Sequence, residues 1–324
     1  MRSVLWLLVA ASASTSFAQD TPRLTAGMPF PPWQNGANNP SIDKGLEFTV
    51  PEVDNLADFH GNLNDPKLVL YYGGNSFFSM APLVKAFEAR YLQYRGRVYF
   101  ETLPPGLLAR QMTNGGTITT GNMTWTVKPD VFFAGLNAVK GLIDKGQLTG
   151  APVPYVTNTL AIMVAKGNPK GIKTIADLAR SDVRLAMPNP AFEGVARQIQ
   201  QTLVKAGGED LKAAVYERKV KDGSAMLTQI HHRQTPLYIM QGKVDAGVTW
   251  QSEVVFQQQA GHPIEVVTIA DDQNTTAVYA GAAVKGSAHP QAAADWLTFI
   301  RSPESLAIFS RYGFKPYEAD SAPK

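Results

Sequence analysis

Short apolar runs, each followed by a glycine-rich turn and an amphipathic segment, dominate the pattern of this chain. Residues 68–72 are continuously apolar, residues 73–76 read Gly-Gly-Asn-Ser, and apolar residues then recur at helical spacing between 77 and 87. A run that is apolar on both faces is typical of a strand buried on both sides of a sheet, and the i, i+3, i+4 spacing is typical of a helix with one buried face. This stretch therefore predicts a strand, a tight turn and a helix.

The same unit recurs along the chain. Further strands are predicted at residues 98–100, 131–133, 160–164, 184–187, 246–250 and 264–267. Helices are predicted at residues 107–112, 136–143, 175–179 and 195–203, and between Ser302-Pro303 and Gly313. Strands that alternate with helices form mainly parallel sheets with helices on both faces, so the predicted fold class is α/β.

Composition excludes several classes of protein. The chain has 324 residues, 44% of them hydrophobic, and it has no cysteine. This apolar content is far above that of disordered chains, and the length suits two lobes or one large domain. Without cysteine there is no disulfide, thiolate metal site or cysteine nucleophile. The formal charge of +3 is small and spread along the chain, so we expect no nucleic-acid partner.

The usual sequence motifs of enzymes are missing. There is no Gly-x-Ser-x-Gly nucleophile elbow, no phosphate loop ending in Gly-Lys-Ser/Thr and no paired-histidine zinc helix. We therefore expect a protein that is not an enzyme and that holds no resident cofactor or metal. An exported hydrolase or accessory factor is a remaining alternative, but only five histidines are available to build a catalytic set.

Residues 1–18 have the pattern of a secretory signal peptide. Arg2 precedes the apolar run 4–11, and Ser16 and Ala18 place small residues before a cleavage site ahead of Gln19. A membrane anchor is the alternative, but the apolar run is shorter than the ~20 residues that a spanning helix needs. Because no cysteine follows the cleavage site, we expect a periplasmic protein that is not a lipoprotein.

Residues 19–66 differ from the rest of the mature chain. Prolines, asparagines and glycines are frequent there, and they prevent long regular elements. The segment is predicted to be an irregular N-terminal extension that wraps around a lobe.

Candidate binding residues follow the predicted strands. Ligands of such sheets bind outside the carboxyl ends of the strands, where the turns lead into helix N-termini. The unpaired N–H groups and the partial positive charge of a helix N-terminus suit anions. The residues at these positions are Gly74, Asn75, Ser76, Pro105, Gly106, Phe192, Glu193, Gly194, Arg233, Gln234, Thr235 and Trp250.

Several short motifs share their order and spacing with one known family. They are Asn158-Thr159-Leu160, Val164-Ala165-Lys166-Gly167-Asn168-Pro169, Ile175-Ala176-Asp177-Leu178-Ala179, Asn189-Pro190, Gly242-Lys243-Val244-Asp245-Ala246-Gly247-Val248, His289-Pro290-Gln291-Ala292-Ala293 and Tyr312-Gly313-Phe314. Through these motifs the chain resembles, from Lys67 to Tyr317, the periplasmic molybdate-binding proteins of ABC importers and the type II solute-binding proteins more broadly.

The resemblance implies two α/β lobes that are joined by two hinge crossings and that close on a ligand. The crossings are expected near residues 156–159 and 269–272. Residues 67–157 plus 272–324 would form lobe 1, and residues 158–271 would form lobe 2. The membrane permease of an ABC importer would be the protein partner, and we expect the chain itself to be a monomer.

The resemblance also places the family's ligand contacts on residues of this chain. They fall on Asn75 beside Ser76, in Pro105-Gly106, on the amide of Glu193, near Gln234 or Thr235, and on Trp250 in place of a tyrosine. Three departures argue against molybdate itself. Trp250 has no hydroxyl, Pro105 has no N–H, and the Glu193 carboxylate would repel a dianion unless it points to solvent. Arg233 could supply a charged fork for a carboxylate or a phosphorus oxyanion.

Other roles are open for the same residues. Asn75 and Ser76 could cap the following helix, and the turn around Pro105 could be only a rigid connector. Arg233 could be a salt-bridged or surface residue, and Trp250 could be a packing residue or a lid over the ligand. Tyr71 and Tyr72 lie in an apolar run and are expected in the core.

The histidines near Arg233 allow a second interpretation. His231, His232 and Glu193 could ligate a metal ion or a metal chelate, because imidazole and carboxylate both suit transition metals. Exposed polar residues near the mouth of the cleft are the simpler interpretation. The sequence thus predicts the solute-binding component of an ABC importer, which binds a small oxyanion or polar anionic solute between its lobes, with metal binding in the same cleft as the alternative.

Overall fold

The computed structural model of the chain describes residues 59–120, 123–191, 193–228 and 232–319. Its strands are β1 (Phe59–Gly61), β2 (Leu68–Gly73), β3 (Val98–Leu103), β4 (Thr117–Thr120), β5 (Met123–Thr126), β6 (Val131–Gly135), β7 (Leu148–Ala165), β8 (Leu185–Met187), β9 (Ala225–Leu227), β10 (Ala246–Trp250), β11 (Ile264–Thr268), β12 (Thr276–Val284) and β13 (Lys315–Pro316). Its α-helices are α1 (Phe77–Arg90), α2 (Pro105–Thr113), α3 (Leu136–Asp144), α4 (Gly194–Ala213), α5 (Lys219–Lys221), α6 (Gln234–Met240), α7 (Gln251–Gln259), α8 (Pro290–Phe299) and α9 (Pro303–Arg311). Short 3-10 turns at Gly74–Ser76, Leu92–Tyr94 and Ile175–Ala179 complete the list of helical segments, with a π turn at Ala214–Arg218.

The strands form one continuous sheet apart from the β4–β5 hairpin. The strand order is β1-β3-β2-β6-β12-β7-β10-β8-β9, and β11 and β13 also pair with β7. Pairing is parallel among β3, β2 and β6 and among β10, β8 and β9, whereas every strand that pairs with β7 is antiparallel to it. The predicted α/β class is confirmed, but the sheet is mixed rather than mainly parallel, because β7 and β12 are neighbours that run in opposite directions.

The long strand β7 divides the sheet into two sections. Residues 148–159 pair with β12, residues 160–164 pair with β10 on one side, and residues 161–165 pair with β11 on the other. We call the section with β1, β2, β3, β6, β12 and β13 the first sheet and the section with β8, β9, β10 and β11 the second sheet. The predicted lobe limits stay a prediction.

The return from the second sheet to the first runs between β11 and β12. Asn274 in this segment accepts a hydrogen bond from the Leu160 N–H at 3.1 Å and donates to the Leu160 carbonyl at 2.9 Å. Lys205 of α4 donates to the Asn274 carbonyl at 2.7 Å. These bonds hold the return segment against β7 at the point where β7 changes its pairing partners.

Each sheet is covered on both faces, which explains why its central strands read as continuous apolar runs. On one face of β2, Leu70 and Tyr72 belong to the core that contains Trp296 of α8. On the other face, Tyr71 belongs to the core that contains Leu108 of α2. Both tyrosines are fully buried, so their predicted place in the core is confirmed.

The N-terminal predictions lie mostly outside the described residues. The predicted signal peptide 1–18 lies wholly outside them, and the predicted extension 19–66 is described only from residue 59, where β1 pairs with the edge of β3. In the part of the chain that the structure describes, no helix combines the length and the hydropathy needed to cross a bilayer.

Candidate functional site

The turn that follows β2 supplies the first side of the candidate site. Gly74–Ser76 forms a 3-10 turn that leads directly into α1, and its residues are buried. Neither the turn nor the first turn of α1 contains an acidic residue or a side-chain cap. The backbone N–H groups at this helix start are therefore not covered by capping side chains, and they give the turn a partial positive charge.

Asn75 and Ser76 contact tyrosines of neighbouring strands instead of capping α1. The Asn75 side-chain amide donates to the Tyr279 hydroxyl of β12 at 2.8 Å. The Ser76 side chain lies close to the hydroxyl of Tyr155 in β7, and burial raises the pKa of Tyr155. Sequence reasoning missed Tyr279 because it lies inside a strand, and only strand ends were considered as binding positions.

Pro105 and Gly106 follow β3, next to the same turn. The Pro105 ring comes within 3.6 Å of the point where a Cβ on Gly73 would lie, and the Asn75 side-chain oxygen comes within 3.5 Å of that point. Pro105 is half-buried, whereas Gly106 is exposed. Pro105 thus lies close to Asn75, as the parallel pairing of β2 and β3 requires.

Glu193 lies at the start of α4, after β8, and its carboxylate is buried. It accepts hydrogen bonds from the Asn189 N–H at 3.0 Å, from the Thr228 hydroxyl and from the Nδ1 of His232 at 3.1 Å. The Glu193 side chain does not point to solvent, because buried donors surround the carboxylate. Gly194, the next residue, is exposed, and Phe192 and His231 lie outside the described residues.

His232 connects Glu193 to a second buried carboxylate. Its Nε2 lies 2.5 Å from the Oε1 of Glu253 in the first turn of α7, and the Thr249 hydroxyl donates to the other oxygen of Glu253 at 2.8 Å. Burial disfavours the charged imidazolium, but the Glu253 and Glu193 carboxylates outweigh this effect and raise the pKa of His232 to about 9. We call Glu193, His232 and Glu253 the Glu–His–Glu cluster, and with His232 protonated it carries one net negative charge.

The cluster is a poor metal site. Both ring nitrogens of His232 face carboxylates, and an imidazolium that donates from both nitrogens has no lone pair for a metal ion. Within the described ranges, no group of three or more His, Cys, Asp or Glu side chains has the arrangement of a metal site. The prediction that His232 and Glu193 are exposed residues near the mouth is also wrong, since both are buried.

Arg233 reaches from the second sheet to the first. It is only 3% exposed, and its Nη2 donates to the carbonyl oxygen of Gly74. Its Cζ lies 4.2 Å from the centre of the Phe77 ring, at the start of α1. The interpretation of Arg233 as a surface residue is wrong, because the aromatic ring and the turn of the first sheet enclose its guanidinium.

Gln234 and Thr235 follow Arg233 in α6. Gln234 donates to the Tyr238 hydroxyl at 3.2 Å. The Thr235 N–H donates to the His232 carbonyl at 3.0 Å, and the Thr235 hydroxyl is fully buried with no hydrogen-bond partner in the described part of the chain. A Cβ added to Gly247 of β10 would lie 2.3 Å from the Thr235 methyl carbon, so α6 packs directly on this strand.

Trp250 packs at the junction of the two sheets. It belongs to the core of the second sheet, and its ring meets Tyr279 of β12 edge to face at 5.9 Å. Nearby, Phe256 of α7 packs against Phe77 at 5.0 Å and stacks on Phe78 at 5.2 Å. Trp250 therefore has the packing role. The contacts of Phe256 are aromatic contacts that join the two sheets beside Arg233.

Asn158 is a further buried polar residue at this junction. Its amide donates to the Ser252 hydroxyl at 2.8 Å, and its side-chain oxygen has no hydrogen-bond partner among the described residues. The sequence indicated Asn158 only as part of a motif, because nothing local to residues 156–160 predicts that this side chain points towards α7.

Known proteins are similar to this chain in sequence and in fold. A family model described as bacterial extracellular solute-binding protein matches residues 68–315. The sulfate-binding protein of Escherichia coli (strain K12) is 25% identical over 301 residues, which cover 86% of this chain and 86% of that protein. The molybdate-binding protein ModA of Mycobacterium tuberculosis (strain H37Rv) is 26% identical over 245 residues, which cover 73% of this chain and 82% of that protein. The solved structure of the sulfate-binding protein SubI from M. tuberculosis H37Rv has the same fold, with a TM-score of 0.63 and 20% identity over 78% of this chain and 87% of that chain.

Proposed function

We propose, from the premise that the chain belongs to the bacterial extracellular solute-binding protein family, that it binds a small oxyanion or another small polar anion between its two sheets. Members of this family are non-enzymatic solute-binding components of ABC transport. The names of these relatives describe sulfate-binding and molybdate-binding proteins. At an identity near 25%, this similarity supports an oxyanion as the class of ligand but does not identify the particular ion.

The buried guanidinium of Arg233 is the observation that carries this proposal. It extends from the second sheet to the Gly74 carbonyl and the Phe77 ring of the first. A planar guanidinium presents a fork of donors that matches oxyanions and carboxylates. An anion placed between the sheets would meet this fork from one side and the turn after β2 from the other.

The remaining donors are neutral and come from both sheets. The uncapped helix start at Gly74–Ser76 and the Asn75 amide lie on the first sheet, and the buried Thr235 hydroxyl lies on the second. An oxyanion offers only acceptors, so it can satisfy all of these groups at once. A ligand that contacts both sides gains its full set of hydrogen bonds only when the two sheets approach each other, which supports binding by hinge closure.

Thermal unfolding in the presence of single ions tests the proposal. We expect at least one ion of a set of small oxyanions (sulfate, phosphate, nitrate and molybdate) to raise the melting temperature of the purified protein, because a ligand at about a hundred times its Kd stabilises the native state by roughly 2.7 kcal/mol. Arg233→Ala should lose this response, and Arg301→Ala, which removes an exposed arginine elsewhere, should keep it. A response to zinc or ferric iron alone, or an Arg233→Ala variant that responds like the wild type, would contradict the proposal.

Export to the periplasm is part of the same proposal. The charge at Arg2, the apolar run 4–11 and the small residues Ser16 and Ala18 support a cleaved signal peptide. We expect the N-terminal sequence of the protein from the periplasmic fraction to begin at Gln19. Recovery of uncleaved chain in the membrane fraction would contradict this assignment.

A further inference from the structure

The Glu–His–Glu cluster joins three segments that follow the carboxyl ends of neighbouring strands in the second sheet. Glu193 follows β8, His232 follows β9 and Glu253 follows β10, and these three strands are parallel neighbours. The imidazole therefore connects the starts of α4 and α7 to the turn that precedes α6. That turn carries Arg233 as its next residue.

The two carboxylates of the cluster need the positive charge of His232 between them. Glu193, Glu253 and His232 are all more than nine-tenths buried. Two buried carboxylates without a cation between them would carry an uncompensated charge of −2, and they would attract the nearest guanidinium. Arg233 follows His232 in sequence and is itself buried, so such a charge would attract its guanidinium away from the first sheet.

We propose that His232 is a positioning residue for anion binding: by neutralising part of the charge of Glu193 and Glu253, it directs the Arg233 guanidinium towards the Gly74 carbonyl and the Phe77 ring. This inference rests on the proposed function, because Arg233 matters to the ligand only if the anion binds between the sheets. His232 itself is enclosed by the two carboxylates and does not need to touch the ligand.

Protonation of His232 is a necessary part of this role. Besides Glu193 and Glu253, the titratable groups among the described residues that interact with the cluster are Tyr216 of the π turn, which faces Glu193, and Tyr279 of β12, which faces Glu253. Burial and the nearby carboxylates raise the pKa of both tyrosines above their usual range, so both are neutral near pH 9. His232 is therefore the member of this group that loses its charge as the pH rises through about 9, and anion affinity should fall with it.

Charge removal distinguishes positioning from direct contact. Titration calorimetry with sodium sulfate and sodium molybdate at pH 7.5 would compare the wild type with His232→Gln and with the triple variant His232→Gln/Glu193→Gln/Glu253→Gln. We expect His232→Gln to weaken anion binding by about tenfold or more, because it leaves two buried carboxylates near the site. The triple variant removes those charges together with the imidazole and should bind within about threefold of the wild type.

Three results would overturn the proposal. They are unchanged binding by His232→Gln, a triple variant as weak as the single variant, and a wild-type affinity that stays constant from pH 8 to pH 10. The triple variant should lack the pH dependence that we expect of the wild type, and a purely structural role of His232 would not produce that difference. His289→Gln is the matched control, since His289 pairs with the single buried carboxylate of Asp130 at 3.1 Å.

The inference can fail separately from the proposed function. If neither sulfate nor molybdate binds the wild type, a crystal structure of His232→Gln decides the matter without any ligand. A guanidinium of Arg233 that has turned towards Glu193 or Glu253 supports the positioning role, and one that still contacts the Gly74 carbonyl overturns it. Thermal melts identify a variant that does not fold. If His232→Gln does not fold, the NMR titration of His232 in the wild-type protein replaces the comparison of variants. A charged imidazolium at pH 7.5 supports the positioning role, and a neutral imidazole overturns it.

Discussion

The guanidinium of Arg233 lies between an aromatic ring and a backbone carbonyl, and its planar shape suits both contacts. It covers the Phe77 ring at 4.2 Å while it donates to the Gly74 carbonyl. A lysine ammonium is a compact charge that cannot stack in this way or present two parallel donors. The site therefore depends on the shape of this side chain as well as on its charge.

We expect Arg233→Lys to weaken anion binding by about tenfold or more, although the charge is kept, because the stacked fork is lost. The measurement is titration calorimetry with the anion that stabilises the wild type. Arg301→Lys makes the same exchange at an exposed position and should leave the affinity unchanged. Equal affinities of Arg233→Lys and the wild type would show that charge alone is sufficient.

The Tyr279 hydroxyl has a comparable role on the first sheet. Tyr279→Phe removes the acceptor of the Asn75 amide, whose bond is 2.8 Å long in a buried environment. An unsatisfied buried donor costs about 1–3 kcal/mol, so we expect lower stability in urea denaturation and weaker anion binding. Tyr312→Phe is the control, because the Tyr312 ring is partly buried and packs against Phe78 at 5.1 Å. If both variants behave alike, the Asn75–Tyr279 bond does not support the site.

At the level of elements, the close contact between α6 and the second sheet sets the position of the site. A Cβ at Gly247 would lie 2.3 Å from the Thr235 methyl carbon and 2.4 Å from the Ala186 carbonyl oxygen. Only glycine lets β10 approach both neighbours so closely. The turn that carries Arg233 is thereby held against the strand, so its side chain points across the junction of the sheets.

Gly247→Ala should destabilise the protein by about 1–3 kcal/mol, because the added methyl group overpacks this contact. Gly141→Ala is the control, since its added Cβ meets no atom within 4 Å in the interior of α3. It should be neutral or should stabilise the protein by about 0.5–1 kcal/mol, because alanine favours the helix over glycine. Chemical denaturation of both variants measures the difference, and a Gly247→Ala variant as stable as the wild type would contradict the packing argument.

For the whole molecule, the Glu–His–Glu cluster links stability to pH. Burial opposes the charge of His232, but Glu253 and Glu193 raise its pKa from 6.5 to about 9. A group whose pKa is raised by folding stabilises the protein fully below its unfolded value, and this contribution is lost as the pH rises through the folded value. The free energy of unfolding should therefore decrease between about pH 6.5 and pH 9, by about 3 kcal/mol in total for this group.

Urea denaturation across this pH range measures the expected decrease. The triple variant, in which glutamine replaces all three residues of the cluster, should lack it, and His289→Gln should retain it. Burial also raises the pKa of several tyrosines, but their contribution begins only near pH 10, above this window. Identical pH slopes in the wild type and the triple variant would contradict the assignment to His232.

The contacts across the two sheets suggest how the whole molecule responds to its ligand. Arg233 with Gly74, and Phe256 with Phe77 and Phe78, join elements that only β7 and the return segment connect covalently. If the sheets separate in the absence of an anion, these contacts break together. We expect the radius of gyration from small-angle X-ray scattering to decrease at saturating anion, because closure brings the sheets together.

Arg233→Ala at the same anion concentration is the control for this scattering experiment. It should keep the larger radius of gyration, because it lacks the group that binds the ligand between the sheets. Unchanged scattering of the wild type at saturation would count against hinge closure while leaving anion binding itself intact.

Local patterns in the sequence determined the main elements and the positions of the turns. Apolar runs and helical spacing indicated β2 and β6 with the helices that follow them, and the strand β10, because hydropathy is read over a few residues and each run must be buried. The same reasoning placed Asn75 just after a strand, where a parallel sheet exposes its turns. Short elements such as β9 and the β4–β5 hairpin were missed, since their few residues lack a periodic signal.

Only the tertiary structure decided what these polar side chains contact. Tyr279 lies 204 residues from Asn75, and Glu193 lies 39 residues and Glu253 lies 21 residues from His232. Such pairs form because particular strands become neighbours in the sheet, and no pattern within a few residues encodes that choice. The burial of Glu193, His232 and Arg233 has the same origin: a charged side chain is exposed by default, and it becomes buried only where partners from distant segments compensate its charge.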